Sequence, residues 1–480
     1  MDELNAGSAG WREALTREVP RPRAIREWPH NGWLAVGAVC FGAFMGQLDA
    51  SIVTLAYAPL RSEFGVSSGA VQWVSLSYLV ALAVALVPLG RVADSHGRKL
   101  TYVYGFAVFT LASLACALAP NMPALVGMRL VQGIGAALLQ STSIALVTAS
   151  APPGRARSAL GMQAGAQALG LALGPTVGGV LVVNWGWRSV FAVNVPVGIV
   201  AIMLALVALP RTRDAAQRRP MDHLGLFALA IAVTSALLAL SAAADLPLPM
   251  AVTISLGVLA VAATATLVRS LRTARHPLVD PGLLARRGIR NGLIGALCSY
   301  LLLFAPLVLI PSWLTGHGLS ADRAGFVLTA LPAGFALMAT VGGHLIPSGV
   351  SDRVRLTTGS VATTIGVIGL LVIPARPPAV AVDLAVLGLA LGLFTPANNA
   401  AVMAHVGPSA RATIGGTLSM ARSLGTAAGV AVVTVGLAHG LAGLDTRQVA
   451  VVLLIPIALV MVLVSRTADG STGAPTEAGL

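Results

Sequence analysis

Fourteen separate runs of this chain are apolar for the length of a bilayer span, from 33–59, 69–90 and 100–119 through to 412–438 and 447–465. A hydrocarbon core takes roughly 20 apolar residues as a helix. Inside it every backbone N–H and C=O must find its partner within the segment or in a closed barrel. Runs of this length therefore predict an all-α integral membrane protein with 14 spans, a class that suits a chain 56% hydrophobic and 10% charged.

The formal charge of +13 is carried almost wholly by arginine, Lys99 being the one lysine. These charges sit in short gaps between apolar runs and form no single basic patch, so no nucleic-acid partner is expected. With the N-terminus inside, the inner gaps hold Arg91, Arg98, Lys99, Arg155, Arg157, Arg353, Arg355 and Arg411, together with most of the basic residues of 211–219 and 269–290. The outer gaps hold only Arg61, Arg188, Arg323, Arg376 and Arg447. Positive-inside bias then predicts a multi-pass protein of the cytoplasmic membrane with both termini cytosolic. Residues 1–32 have no apolar core or small-residue cleavage site and read as a cytosolic tail. Cys40, Cys116 and Cys298 lie far apart inside apolar runs, so neither a metal nor a cofactor is expected, and no catalytic constellation points to an enzyme.

One carboxylate is out of place. Asp49 stands near the middle of the first run, Trp33 to Leu60. An ionised acid at that depth costs about 2.5 to 3.5 kcal/mol on insertion scales, and intramembrane acids by default mark ion or proton paths. The plainer alternative is a buried acid hydrogen-bonded to a neighbouring helix. His344 and Asp383 are secondary candidates, both near span ends.

The chain also repeats itself. Gly154 to Gly161, followed by Leu169-Gly170, is echoed by Ser409 to Gly416, followed by Leu424-Gly425, and Asp94 is matched by Asp352. A parallel repeat divides the chain into a tail (1–32), a six-helix half (33–210), two inserted spans with basic flanking loops (211–290), a second six-helix half (291–466) and a tail (467–480). Such repeats place a substrate site near the midplane between the halves.

Four stretches resemble a known family. Gly90-Arg-Val-Ala-Asp94-Ser-His-Gly97-Arg98-Lys99 looks like the loop signature of the major facilitator superfamily, in which glycines allow a close turn and the acid can pair with arginines or cap a helix. Arg129-Leu-Val-Gln132-Gly-Ile-Gly-Ala resembles its fourth-span motif. Gly170, Gly174, Pro175, Gly178 and Gly179 resemble the antiporter motif of its exporting branches. Glycine at every fourth position bares one helix face, and proline removes a backbone hydrogen bond. Leu48-Asp49-Ala-Ser51-Ile-Val-Thr54-Leu-Ala is similar to the first-span signature of the fourteen-span drug:proton antiporters, with Ser51 and Thr54 replacing Thr and Asn. Trp187 to Gly198 and Met221 to Gly225 also look typical of that branch.

The resemblance implies the major facilitator fold and proton-coupled export of drugs or antibiotics by alternating access, with protons and an amphipathic small molecule as partners in the bilayer and a functional monomer. Asp49 and Arg129 are the expected proton-coupling pair, and Gly90, Asp94, Gly97, Arg98 and Lys99 the gating loop. Burial disfavours an ionised carboxylate and a nearby cation favours it, so Arg129 could tune proton release from Asp49. The expected cavity residues are Gln47, Gln72, Tyr78, Gln132, Tyr300 and Phe304, with Phe394, Asn398, Asn399, Met403 and Arg422 from the later spans; Trp73 is equally a candidate for the interfacial belt. Arg422 is either a contact for an anionic substrate group or a partner of the cytosolic gate. A dedicated exporter of one endogenous metabolite or lipid would fit the same cavity, and a non-transporting membrane sensor is the remaining alternative. No Gly-x-x-x-x-Gly-Lys-Ser/Thr loop is present for an ATP-driven pump.

Overall fold

A computed structural model describes residues 18, 20–212, 222–244, 248–347, 349–438 and 446–466. Most of both tails and the basic loop 213–221 lie outside the described residues, as do the side chains of Pro175 and His344. Among the described residues thirteen helices are long and apolar enough to cross a membrane, and a bent pair supplies a fourteenth span. In chain order they are α1 (Asn31–Phe64), α2 (Ser68–His96), α3 (Arg98–Ala117), α4 (Met122–Ser150), α5 (Ala156–Trp185), α6 (Arg188–Ala208) and α7 (His223–Ala244). There follow α8 (Met250–Thr273), α9 (Arg287–Gly316), α10 (Ala330–Leu345), α11 (Asp352–Val372), α12 (Pro377–Ala404), α13 (Arg411–Ala438) and α14 (Thr446–Arg466).

Two of these helices are irregular. α1 outruns its apolar stretch, passing through a 3-10 turn at Val53–Ala56 into the more polar Tyr57–Phe64. α5 bends by 42° between Gly174 and Thr176, where Pro175 supplies no amide hydrogen to the helix ladder.

Packing repeats with the sequence. α1 packs on α5, α2 on α4 and α3 on both α4 and α6; in the same pattern α9 packs on α13, α10 on α12 and α11 on both α12 and α14. The two bundles meet along α2–α13 and α5–α10, with α4–α13 and α5–α12 behind them. Glycine sets how closely they approach. A Cβ at Gly170 would lie 2.4 Å from the Phe44 carbonyl oxygen, and one at Gly425 would lie 2.2 Å from that of Leu297. Gly161 faces α10 and Gly416 faces α2 equally closely, at 2.1 and 2.3 Å from carbonyl oxygens. α5 and α13 thus each carry one bare face for their own bundle and one for the other.

The inserted helices break the symmetry. α7 packs on α8 and also on both α2 and α13, so it lies along one of the two seams between bundles. α8 is the outermost helix, with only 6% of its apolar window buried against 39% for α7.

Candidate functional site

Asp49 is fully buried, and three donors from two other helices hold its carboxylate. Arg129 Nη1 donates to Oδ2 at 2.8 Å, while Gln132 Nε2 and Asn194 Nδ2 donate to Oδ1 at 3.0 and 2.7 Å. Arg129 and Gln132 share one face of α4, three residues apart, and Asn194 comes from α6. Gln132 is held in turn, its Oε1 accepting from Arg129 Nη1 at 2.6 Å and its Nε2 donating to Ser113 Oγ at 2.8 Å. Arg129 Nε donates to the Val74 carbonyl at 2.9 Å, and the guanidinium lies 4.2 Å from the centre of the Tyr78 ring. Both side chains of the pair are fully buried. A low-dielectric setting of this kind makes removal of either partner costly.

Beside this pair is a cavity of about 280 Å³ between the two bundles. Gln47, Tyr78, Tyr300, Phe304 and Arg422 line it, as the sequence led us to expect. Tyr78 is therefore a partition, touching the cavity as well as Arg129. Among the described residues its hydroxyl has no hydrogen-bond partner.

Several expected residues lie elsewhere. Gln132 belongs to the Asp49 network, and half-buried Gln72 is not among the cavity's lining residues, with Trp73 39% exposed beside it. Phe394 and Asn398 face a separate small cavity of about 30 Å³, where Asn398 Nδ2 donates to the Gly292 carbonyl at 2.9 Å. Asn399 and Met403 are buried on α12 and are likewise absent from the central lining. The reason is common to all four: α12 is packed on α5, α9, α10 and α11, so its few polar residues, among them Thr395, Asn398 and Asn399, do not mark which face meets the cavity. Sequence reasoning also missed contributors. Gln140 and Gln167 line the cavity, as do Leu237, Leu240 and Ser241 of α7. A lone amide in an apolar run could have signalled Asn194; nothing in α7 resembles a site.

Ser51 and Thr54, the departures in the first-span signature, do not touch the acid. Ser51 Oγ points at α5, 3.4 Å from the Gly170 carbonyl, and Thr54 Oγ1 donates to the Ser51 carbonyl.

At the loop face, Asp94 does both things open to it. Its Oδ1 accepts from Arg98 Nη2 at 2.8 Å and from the Ala412 amide at 3.1 Å; its Oδ2 accepts from the Thr413 amide and hydroxyl, both at 2.8 Å. Those amides belong to the first turn of α13, so an acid of one bundle caps a helix of the other, where orphan donors and the helix dipole favour negative charge. Arg98 Nη2 also donates to the Pro408 carbonyl. Gly90 permits the approach, since a Cβ there would be 2.5 Å from the Ala412 carbonyl oxygen. Gly97 turns the chain with φ of 107°, a conformation that favours glycine. Lys99 Nζ ties α3 to α6 through the carbonyls of Leu206 and Leu209. At the equivalent place in the repeat, the Arg157–Asp352 ion pair, 2.6 Å long and about one-third exposed, links the bundles again.

Two helical bundles around a buried ion pair and a central cavity, sealed at one face by repeated loops, define a multi-pass membrane transporter. A family model described as Major Facilitator Superfamily matches residues 39–430, and the chain belongs to that superfamily. The riboflavin transporter RibZ of Clostridioides difficile (strain 630) is 28% identical over 407 residues, covering 83% of this chain and 87% of that one. The multidrug resistance protein Stp of Mycobacterium tuberculosis (strain CDC 1551 / Oshkosh) is 30% identical over 404 residues, 83% of this chain and 74% of that one, in keeping with the drug-efflux branch. Among solved structures, the human organic anion transporter MFSD10 (TETRAN) shares the fold with a TM-score of 0.66 at 18% identity, over 92% of this chain and 100% of that one.

Proposed function

We propose that the protein is a proton-coupled exporter of drugs or antibiotics in the cytoplasmic membrane, working as a monomer by alternating access, with the arginine-rich loop face and both termini in the cytosol. The observation that carries this reading is the position of Tyr78 between the cavity and Arg129, whose partner is Asp49. A substrate displacing the Tyr78 ring disturbs the environment of the guanidinium, and through it the acid. Protonation of Asp49 from outside removes the partner of Arg129, leaving a buried cation that favours rearrangement of α1 against α4. Proton release inward restores the pair.

In this reading the bonds from Asp94 and Arg98 to α13 are the ones that hold the cytosolic face shut and that break when the cavity opens inward. One charge crossing 100 mV is worth about 2.3 kcal/mol, enough to drive accumulation of roughly fortyfold.

Reconstituted protein under an imposed inward proton gradient tests the reading. Substrate should move uphill with Asp49 intact and only downhill in Asp49→Asn. Uphill movement that persists in the variant, or after the gradient is collapsed, rejects the mechanism. A second reading is a dedicated exporter of one metabolite, favoured by the similarity to a protein named as a riboflavin transporter. A narrow profile across a panel of antibiotics and vitamins would select it.

A further inference from the structure

Two arginines are buried in the membrane-spanning part of the central region, and only one has a counter-charge. Arg129 is matched by Asp49. Arg422, on α13, is 5% exposed and lines the cavity, yet among the described residues no carboxylate lies within ion-pairing distance of it. Its contacts are neutral: Ser419 Oγ at 2.7 Å from Nη2, Gln167 Oε1 and Tyr300 Oη at 3.4 and 3.5 Å from Nη1, and the Tyr300 ring, whose centre lies 5.4 Å from the guanidinium carbon. It is also the only charged side chain among the cavity's lining residues.

Repeat symmetry sharpens the point. Arg422 stands three residues before Gly425, as Gln167 stands three before Gly170, so the two are equivalent positions that meet across the cavity. In one bundle this position is an amide and in the other a cation. Packing alone is met by the amide, while a buried guanidinium without an acid is costly. A guanidinium also presents a planar fork suited to oxyanions.

We propose that the cargo is an amphipathic organic anion. Its carboxylate or sulfonate lies on Arg422 and Ser419, and its ring system lies along Tyr300 and Phe304, whose rings stack at 6.3 Å, facing Leu237 and Leu240 of α7. The inference rests on the export reading and adds the substrate class. It has an electrical consequence: with one proton entering for each monoanion leaving, two positive charges move inward per cycle, against one for a neutral cargo.

The test uses naphthoate, naphthamide and naphthylmethylamine, which share a ring and differ in charge, with the thermal midpoint of the purified full-length chain as readout. Naphthoate should stabilise the protein at concentrations at least tenfold below those needed for the other two. Arg422→Gln should abolish that preference, naphthoate and naphthamide then acting at similar concentrations, and a cooperative melting transition reports that the variant is folded. Arg422→Lys, a point charge without the fork, should fall between. Absence of naphthoate binding, equal affinities, a preference for the amine, or a naphthoate preference that survives in Arg422→Gln would each overturn the proposal. Proton-driven export dependent on Asp49 would still stand in those cases, so failure of the substrate class is separable from failure of the transport reading.

Discussion

The Arg129 guanidinium lies 4.2 Å from the centre of the Tyr78 ring, and the same ring is part of the cavity wall. Stacking, not hydrogen bonding, makes this link, because the tyrosine hydroxyl has no partner among the described residues. Tyr78→Phe should therefore transport within about threefold of the parent. Tyr78→Leu should lose a desolvated cation–π contact of about 2 kcal/mol, enough for a thirtyfold effect. Initial rates of export in vesicles decide; equal loss in both variants would mean that the hydroxyl, not the ring face, matters.

Asp49→Asn leaves Arg129 as a buried charge without its acid, a situation that costs about 3–5 kcal/mol where a dry pair is broken. The double change Asp49→Asn with Arg129→Gln should recover much of the thermal stability while remaining unable to drive uphill export. A double variant no more stable than the single one would show that the pair is not energetically coupled.

Removing the cap on α13 should loosen the loop face. Loss of a helix cap costs about 1 kcal/mol, a fivefold shift between open and closed. In a background without native cysteines, a thiol at fully buried Ala412 should react faster with an impermeant reagent from the loop side when Asp94 is Asn. Thr413→Val, which removes only the hydroxyl donor, should have a smaller effect.

Glycines of the bent helix are not equivalent. Alanine at Gly170 would place a methyl group 2.4 Å from a backbone oxygen and should destabilise by about 1–3 kcal/mol through overpacking. Alanine at Gly179 meets nothing closer than 3.7 Å and should be neutral. Thermal midpoints of the two variants would separate this steric account from one in which every motif glycine serves flexibility.

The inserted pair divides its work. Leu240→Trp on α7 should shrink the cavity and change which compounds cells resist. Val258→Trp on α8, where the side chain is 64% exposed, should change nothing. Identical resistance profiles for both would place α7 outside the substrate path.

Much of this is readable in the sequence. Asp49 stood out because a deep acid has no reason to be there without a partner, and Arg129 lay at motif spacing on another span. Asp94 and its glycines likewise signalled a tight, charged turn. What could not be read was orientation. Spans buried on several sides have polar residues on more than one face, so Phe394, Asn398, Asn399 and Met403 read from the sequence as lining a cavity whose wall does not include them. Leu237 and Leu240 went unnoticed for the converse reason, being apolar residues in an apolar helix whose importance comes from what the fold sets opposite them.

α7 touches α2 of the first bundle and α13 of the second, and gives part of its side to the chamber between them. A rigid swing of one bundle past the other cannot preserve both attachments. In the proposed alternating-access cycle, whichever is surrendered, the cargo is received in a chamber with one set of walls and discharged from a chamber with another, so affinity falls during the stroke without any change in the cargo itself. Crosslinks joining α7 to α2, compared with crosslinks joining it to α13, would show which bundle carries it; if both left turnover intact, α7 would be stationary and the chamber walls constant.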